Sequence, residues 1–117
     1  MPTATEIRVR RASATLEVTF DDGSRAALPA EYLRVESPSA EVQGHAPHEK
    51  KTVPGKAHVS IAAVEPIGNY AVRIRFTDGH DTGIYSWSYL HLLAAERETR
   101  WQAYLEALAA QGLQREP

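Results

Sequence analysis

Hydrophobic and polar residues alternate along the first third of the chain. Leu16, Val18 and Phe20 are separated by polar residues, which is the period of a strand with one buried face. The Asp-Asp-Gly sequence that follows suits a tight turn, because Asp and Gly tolerate the backbone conformations that hairpins need. The predicted elements are strands at 7–11, 15–20 and 24–28, and a short helix at 30–34 that begins after Pro29.

The second half of the chain shows the same alternation. Tyr70, Val72, Ile74 and Phe76 are expected on one face of a strand, with polar residues on the other face. Ser86 can cap a helix that begins at Trp87, and Thr99 with Gln102 forms the capping box of a second helix. The predicted elements are strands at 58–66, 70–76 and 80–85, a hairpin loop at Gly68-Asn69, a turn at Asp78-Gly79, and two helices of which the second ends at Gly112.

The two halves share the order strand, turn, strand, helix, either as an internal repeat or by chance. We therefore predict an α+β fold: a small antiparallel or mixed sheet made of two such units, with two C-terminal helices. A length of 117 residues is typical of a single domain, so residues 1–117 are assigned to one domain.

The segment at 36–57 interrupts this pattern. It contains three prolines and two glycines and has little apolar periodicity. We expect a mobile surface loop, because a long segment without regular structure inside a domain is either functional or disordered. The alternative is a histidine-rich metal site formed by His45, His48, Glu49 and His58, although their spacing fits no fixed ligand geometry.

Composition narrows the possible functions. The formal net charge of −2 gives no electrostatic basis for binding nucleic acid. The absence of cysteine excludes disulfides, thiolate nucleophiles and cysteine-ligated metals from this chain alone. No apolar run approaches the roughly 20 residues that span a bilayer, and the N-terminus lacks the apolar core of a signal peptide. We expect a soluble cytoplasmic protein with no membrane partner.

Two stretches are distinctive: residues 65–72, and residues 76–90 with the sequence DGHDTGIYSW inside them. In these stretches the chain resembles the γ-butyrobetaine hydroxylase N-terminal-like domains, a family of small bacterial domains of unknown function, over about residues 7–112. The resemblance implies an α+β domain without activity of its own. Such domains precede an iron- and 2-oxoglutarate-dependent catalytic barrel in the hydroxylases, and they are appended to some P-loop ATPases that scaffold iron–sulfur clusters.

The hydroxylase domains hold a structural zinc through a Cys-x-Cys-x-x-Cys run and a distant histidine. At the matching positions this chain has Ser37, Ser39 and Val42, and it keeps the histidine as His80. Hydroxyl groups are poor zinc ligands and valine is none, so three of four ligands are missing. No cofactor is therefore predicted, and zinc or iron bound through His80 is the alternative.

The resemblance favours a non-catalytic accessory module that binds a protein of iron–sulfur or iron-enzyme metabolism. The expected docking residues lie at a strand-to-helix corner rich in aromatic side chains: His80, Asp81, Tyr85, Trp87 and Tyr89. The alternatives are a metal-binding domain acting through His80, and a minor enzyme with His80 and Asp81 as acid–base groups. The aromatic side chains could instead belong to the core. The identity of the partner and the oligomeric state stay open.

Overall fold

A computed structural model describes residues 2–117. Within this range the chain forms six strands and four α-helices, which confirms the α+β class. They are β1 (Ala4–Arg10), β2 (Thr15–Phe20), β3 (Arg25–Pro29), α1 (Ala30–Val35), α2 (Ala40–Gln43), β4 (Ile61–Ile67), β5 (Ala71–Phe76), β6 (Ile84–Ser86), α3 (Trp87–Ala95) and α4 (Arg97–Ala110), with a 3-10 turn at Pro47–Glu49. None of the helices in residues 2–117 is long and apolar enough to cross a membrane.

The strands form two antiparallel sheets rather than one. Their orders are β1-β2-β3 and β4-β5-β6. A helix directly follows the last strand of each sheet, α1 after β3 and α3 after β6. The order strand, turn, strand, helix therefore occurs twice, as the sequence pattern predicts, and each copy has its own sheet.

One hydrophobic core is shared by both sheets. Alternate residues of β2 and β5 point into it, and α1 and α3 add Leu33 and Leu90, which have no exposed surface. Burying a side chain of this size contributes roughly 1.5–3 kcal/mol. The inward residues of the two central strands are Leu16, Val18, Phe20, Val72, Ile74 and Phe76. Tyr70 is 58% exposed, because β5 begins at Ala71 and Tyr70 belongs to the preceding turn.

Three predicted boundaries are wrong. β4 begins at Ile61 instead of residue 58, and β6 is limited to Ile84–Ser86, because residues 77–80 form a turn in which the Phe76 amide bonds the His80 carbonyl. Helix α4 begins at Arg97 rather than after Thr99, and its N-cap residue, Glu96, makes no side-chain cap hydrogen bond. Glu96 also ends α3, so the two helices meet at one residue and leave no room for a separate capping box.

The segment at 36–57 packs more closely than its sequence suggests. It contains α2, and its residues Glu36, Ser37 and Val42 are buried. Val53 packs beside α4, where its carbonyl accepts a 2.6 Å hydrogen bond from the Tyr104 hydroxyl. The segment is therefore in contact with the domain at these points, while its mobility stays a prediction.

The outer strands β1 and β4 border a groove of about 590 Å³ between the two sheets. Arg11 spans this groove: its guanidinium donates to the carbonyl oxygens of Ile61 at 3.1 Å and Ala62 at 3.4 Å. Trp87 at the start of α3 also lines the groove. Arg11 thus links the first sheet to the free edge of the second.

Candidate functional site

His80 is turned into the protein by the bend after β5. Gly79 has a φ of 93°, a conformation that favours glycine, and the Asp78 carboxylate accepts the His80 amide at 3.0 Å. The bend leaves His80 only 7% exposed. Its imidazole meets the residues that follow α1, which include the serines at the degenerate zinc-ligand positions.

Both ring nitrogens of His80 have partners. Nε2 lies 2.8 Å from the Ser37 hydroxyl, and Nδ1 lies 3.0 Å from the Glu41 carboxylate. Thr82 donates to the same carboxylate at 3.1 Å and lies 2.7 Å from the Ser39 hydroxyl. We refer to Ser37, Ser39, Glu41, His80 and Thr82 as the His80 network.

The surroundings of His80 fix its protonation state. Burial lowers the pKa of His80, the Arg34 guanidinium lowers it further, and Glu41 opposes both effects. The imidazole is therefore neutral at neutral pH. Because Glu41 can only accept, Nδ1 carries the proton, and Nε2 accepts from the Ser37 hydroxyl.

The residues at the zinc-ligand positions do not fit zinc. The imidazole nitrogen that faces Ser37 already accepts a hydrogen bond, and Val42 is a buried apolar side chain with no donor atom. Gly83 also packs against Ser37, so closely that a Cβ at position 83 would lie 2.6 Å from the Ser37 hydroxyl. Hydrogen bonds of the His80 network occupy this place instead.

The Ser37–His80–Glu41 contacts follow the same order as those of a serine nucleophile, its base and an orienting acid. Ser37 has no exposed surface, however, and Gly83 packs directly against it. A substrate would have no approach to this hydroxyl. The carboxylate that contacts the imidazole is Glu41, not the Asp81 expected from the sequence.

The five expected docking residues do not form one surface. Tyr85 has no exposed surface and donates to the Leu33 carbonyl at 2.6 Å, and burial raises its pKa. The half-buried Tyr89 donates to the Glu36 carbonyl at 2.6 Å, and burial raises its pKa to about 12. His80 and Tyr85 are buried because the turn after β5 and strand β6 point their side chains inward. Asp81 is exposed, and Trp87 lines the groove between the sheets.

Sequence reasoning missed two ion-pair clusters beside this network, one buried and one partly exposed. Glu36, only 2% exposed, binds Lys50 Nζ at 2.9 Å and Arg100 Nη1 at 2.6 Å. This carboxylate joins the segment at 36–57 to α4. Its partners lie 14 and 64 residues away, so no local sequence signal marks the contact.

The second cluster surrounds Asp78. Lys56 and Arg34 each lie 2.7 Å from its carboxylate. Burial by itself raises the pKa of Asp78, but the hydrogen bonds from Lys56, the His80 amide and Arg34 outweigh it and hold that pKa at about 2. Asp78 therefore keeps its charge and fixes the turn that carries His80.

Comparison with known proteins gives a consistent picture. A family model described as gamma-butyrobetaine hydroxylase-like, N-terminal, matches residues 7–91. Two proteins known from solution NMR structures are 43% and 46% identical, with TM-scores of 0.85 and 0.87. Both matches cover this whole chain, and they cover 92% and 87% of those chains.

A third similar structure is the crystal structure of a protein of unknown function from Acidithiobacillus ferrooxidans that belongs to the DUF971 family. It is 44% identical, with a TM-score of 0.67, over 80% of this chain and 94% of that one. The comparison with curated proteins gives no match.

Proposed function

Because the chain belongs to the family of γ-butyrobetaine hydroxylase-like N-terminal domains, we propose that it is a non-catalytic module that binds a protein partner. The resemblance to domains that accompany iron enzymes and cluster-scaffolding ATPases favours a partner from iron metabolism. The module would serve that partner by docking, with no reaction of its own.

One observation carries the proposal: the serine and the histidine of the chain's most enzyme-like group of side chains are buried and hydrogen-bonded inside the protein. A general base must reach the proton it abstracts, and a nucleophile must reach its substrate. His80 is 7% exposed and Ser37 is 0% exposed, and each already has a partner inside the protein. The contacts hold the segment after α1 against the turn after β5, which is a structural task.

Affinity capture from native extract tests the proposal. We expect the immobilised full-length protein to retain one defined partner in stoichiometric amount, and His80→Gln to retain the same partner to the same extent. Asp81→Asn is the matched variant from the same turn. Loss of the partner in His80→Gln, with the thermal stability of that variant preserved, would contradict a purely structural role for His80.

Metal binding through His80 has less support, since both ring nitrogens are engaged by Ser37 and Glu41. We expect Zn²⁺ or Fe²⁺ added to the purified protein to leave the NMR signals of the His80 ring unchanged. The triple variant S37C/S39C/V42C provides the positive control, because it restores thiolates at the three positions that match the cysteines of the zinc-bearing domains. Binding by the wild type that is lost in His80→Ala would contradict this expectation.

A further inference from the structure

The last six residues, Gly112–Pro117, form a tail that follows α4. After α4 the tail turns back along the segment before β4. The Gln114 carbonyl accepts the Gly55 amide and the Arg115 carbonyl accepts the Ala57 amide, both at 3.0 Å. Two successive backbone carbonyls therefore hold the tail to a neighbouring stretch of backbone.

The side chain of Arg115 occupies a well-defined site. Its Nε and Nη2 atoms donate to the two oxygens of the Glu31 carboxylate at 2.8 and 2.7 Å. Its guanidinium also lies 5.3 Å from the centre of the Trp101 ring. A planar guanidinium satisfies both contacts at once, whereas the ammonium of a lysine cannot form the paired hydrogen bonds.

The site belongs to the folded domain and not to the tail. Glu31 is on α1 and Trp101 is on α4, and together with Pro29, Tyr32, Arg97, Glu98 and Arg115 itself they line a cavity of about 280 Å³. The Glu31 side chain is 9% exposed, while that of Arg115 is 45% exposed. With Arg115 in place the carboxylate is mostly covered and both of its oxygens are paired, and a guanidinium from either chain could make the same two hydrogen bonds.

We propose that Glu31 and Trp101 form an arginine-recognition site, which Arg115 fills from within the chain and which an arginine in a segment of the protein partner fills when the tail is displaced. This inference rests on the proposed function and specifies the chemistry of the partner. The tail acts as a competing ligand at high effective concentration, so the partner segment gains access only when it replaces the tail.

A peptide probe tests the site directly. The capped pentapeptide Leu-Gln-Arg-Glu-Pro, which copies residues 113–117, is titrated into the full-length protein while the Trp101 indole signal is followed by NMR. Since removing the internal competitor raises apparent affinity, we expect Arg115→Ala to bind this peptide about tenfold more tightly than the wild type. Gln114→Ala is the matched control, and it should bind as weakly as the wild type.

Two further titrations separate recognition from unspecific contact. Peptides with lysine or alanine in place of arginine should bind the Arg115→Ala protein at least about tenfold more weakly, because they lack the paired guanidinium donors. Adding Glu31→Gln to Arg115→Ala should also abolish binding. Equal binding of the three peptides to the Arg115→Ala protein would by itself overturn the proposal.

The proposed function and this site can fail independently. A partner captured equally well by the wild type, by Arg115→Ala and by Glu31→Gln would show that docking occurs elsewhere and would overturn the partner role of the site. Specific peptide binding without any captured partner would leave the arginine site standing and count against the proposed function.

Discussion

The imidazole of His80 responds to three charged groups and to its own burial. Burial and Arg34 lower its pKa, while Glu41 and Asp78 raise it. In the unfolded chain these influences vanish and the pKa returns towards 6.5. As pH falls, the unfolded state therefore takes up a proton before the folded state does, and the folded protein loses stability.

This linkage predicts how stability depends on pH. The contribution of His80 is complete above about pH 6.5 and is lost as pH falls from there towards the lower folded pKa. His80→Gln has no proton to gain, so its free energy of unfolding should fall less than that of the wild type between pH 7 and pH 5. Urea unfolding at several pH values measures both slopes.

Asp81→Asn is the control, because Glu41 and not Asp81 contacts the ring. It should keep the slope of the wild type. The contribution of Asp78 stays constant throughout this window, since its folded pKa of about 2 keeps it charged, and it is lost only as pH falls below about 3.8. Equal slopes for the wild type and His80→Gln would show that the folded pKa of His80 is not lowered.

The sequence singled out His80 but not its partners. Ser37 is 43 residues away, and it drew attention only because the family resemblance aligned it with a cysteine. Glu41 has no such signal, since a glutamate in a polar segment is usually solvated. Contacts of this kind depend on how distant turns meet, which periodicity does not encode.

Among the elements, those with a strong local signal were predicted best. The alternation in β2 and β5 and the Ser86 cap of α3 are confirmed, with the Ser86 hydroxyl accepting the Tyr89 amide at 3.1 Å. The contacts of the segment at 36–57 could not be predicted from its sequence, because its anchors are polar. A count of apolar residues cannot detect an anchor such as the buried Glu36, which is held by Lys50 and Arg100.

Hydrogen exchange can resolve the mobility of this segment. We expect its amides to exchange faster than those of β2 and β5, because few apolar contacts hold it. The slowest amides within it should be those whose protons are bonded to backbone carbonyls, Val42, Gln43 and Lys51 among them. Protection as strong as in β5 from end to end would contradict a mobile segment.

Glu36→Gln tests the ionic anchor. Replacing a buried charged acceptor weakens hydrogen bonds that are each worth roughly 1.5–3 kcal/mol. We expect exchange to accelerate at Lys51 while the amides of β2 stay slow. Glu49→Gln, in the exposed 3-10 turn, is the matched substitution within the segment and should leave Lys51 unchanged.

At the scale of the whole molecule, two sheets share one core. The inward faces of β2 and β5 belong to the same cluster, together with α1 and α3. Neither sheet has a separate core among the described residues, so neither is expected to unfold alone. The doubled order of elements was visible in the sequence, but the division into two sheets depends on contacts between the halves.

Denaturation should therefore follow a single transition. Circular dichroism of the backbone and fluorescence of Trp87 and Trp101 should give the same midpoint. Ile74→Val removes one buried methylene and should lower the free energy of unfolding by about 0.5–1.5 kcal/mol by both probes. Arg75→Ala, on the exposed face of the same strand, should change it by less than about 0.5 kcal/mol. Separate midpoints for the two probes would show that the halves unfold independently.

The contact of Arg11 with β4 bears on aggregation at high protein concentration. Free strand edges offer carbonyl and amide groups to the edges of other molecules, and such pairing begins aggregation. Two of these carbonyls on β4, those of Ile61 and Ala62, are already occupied by the Arg11 guanidinium. Arg11→Ala should accordingly sediment as concentration-dependent oligomers where Arg10→Ala stays monodisperse. A single arginine would then set how concentrated this protein can become before its molecules join.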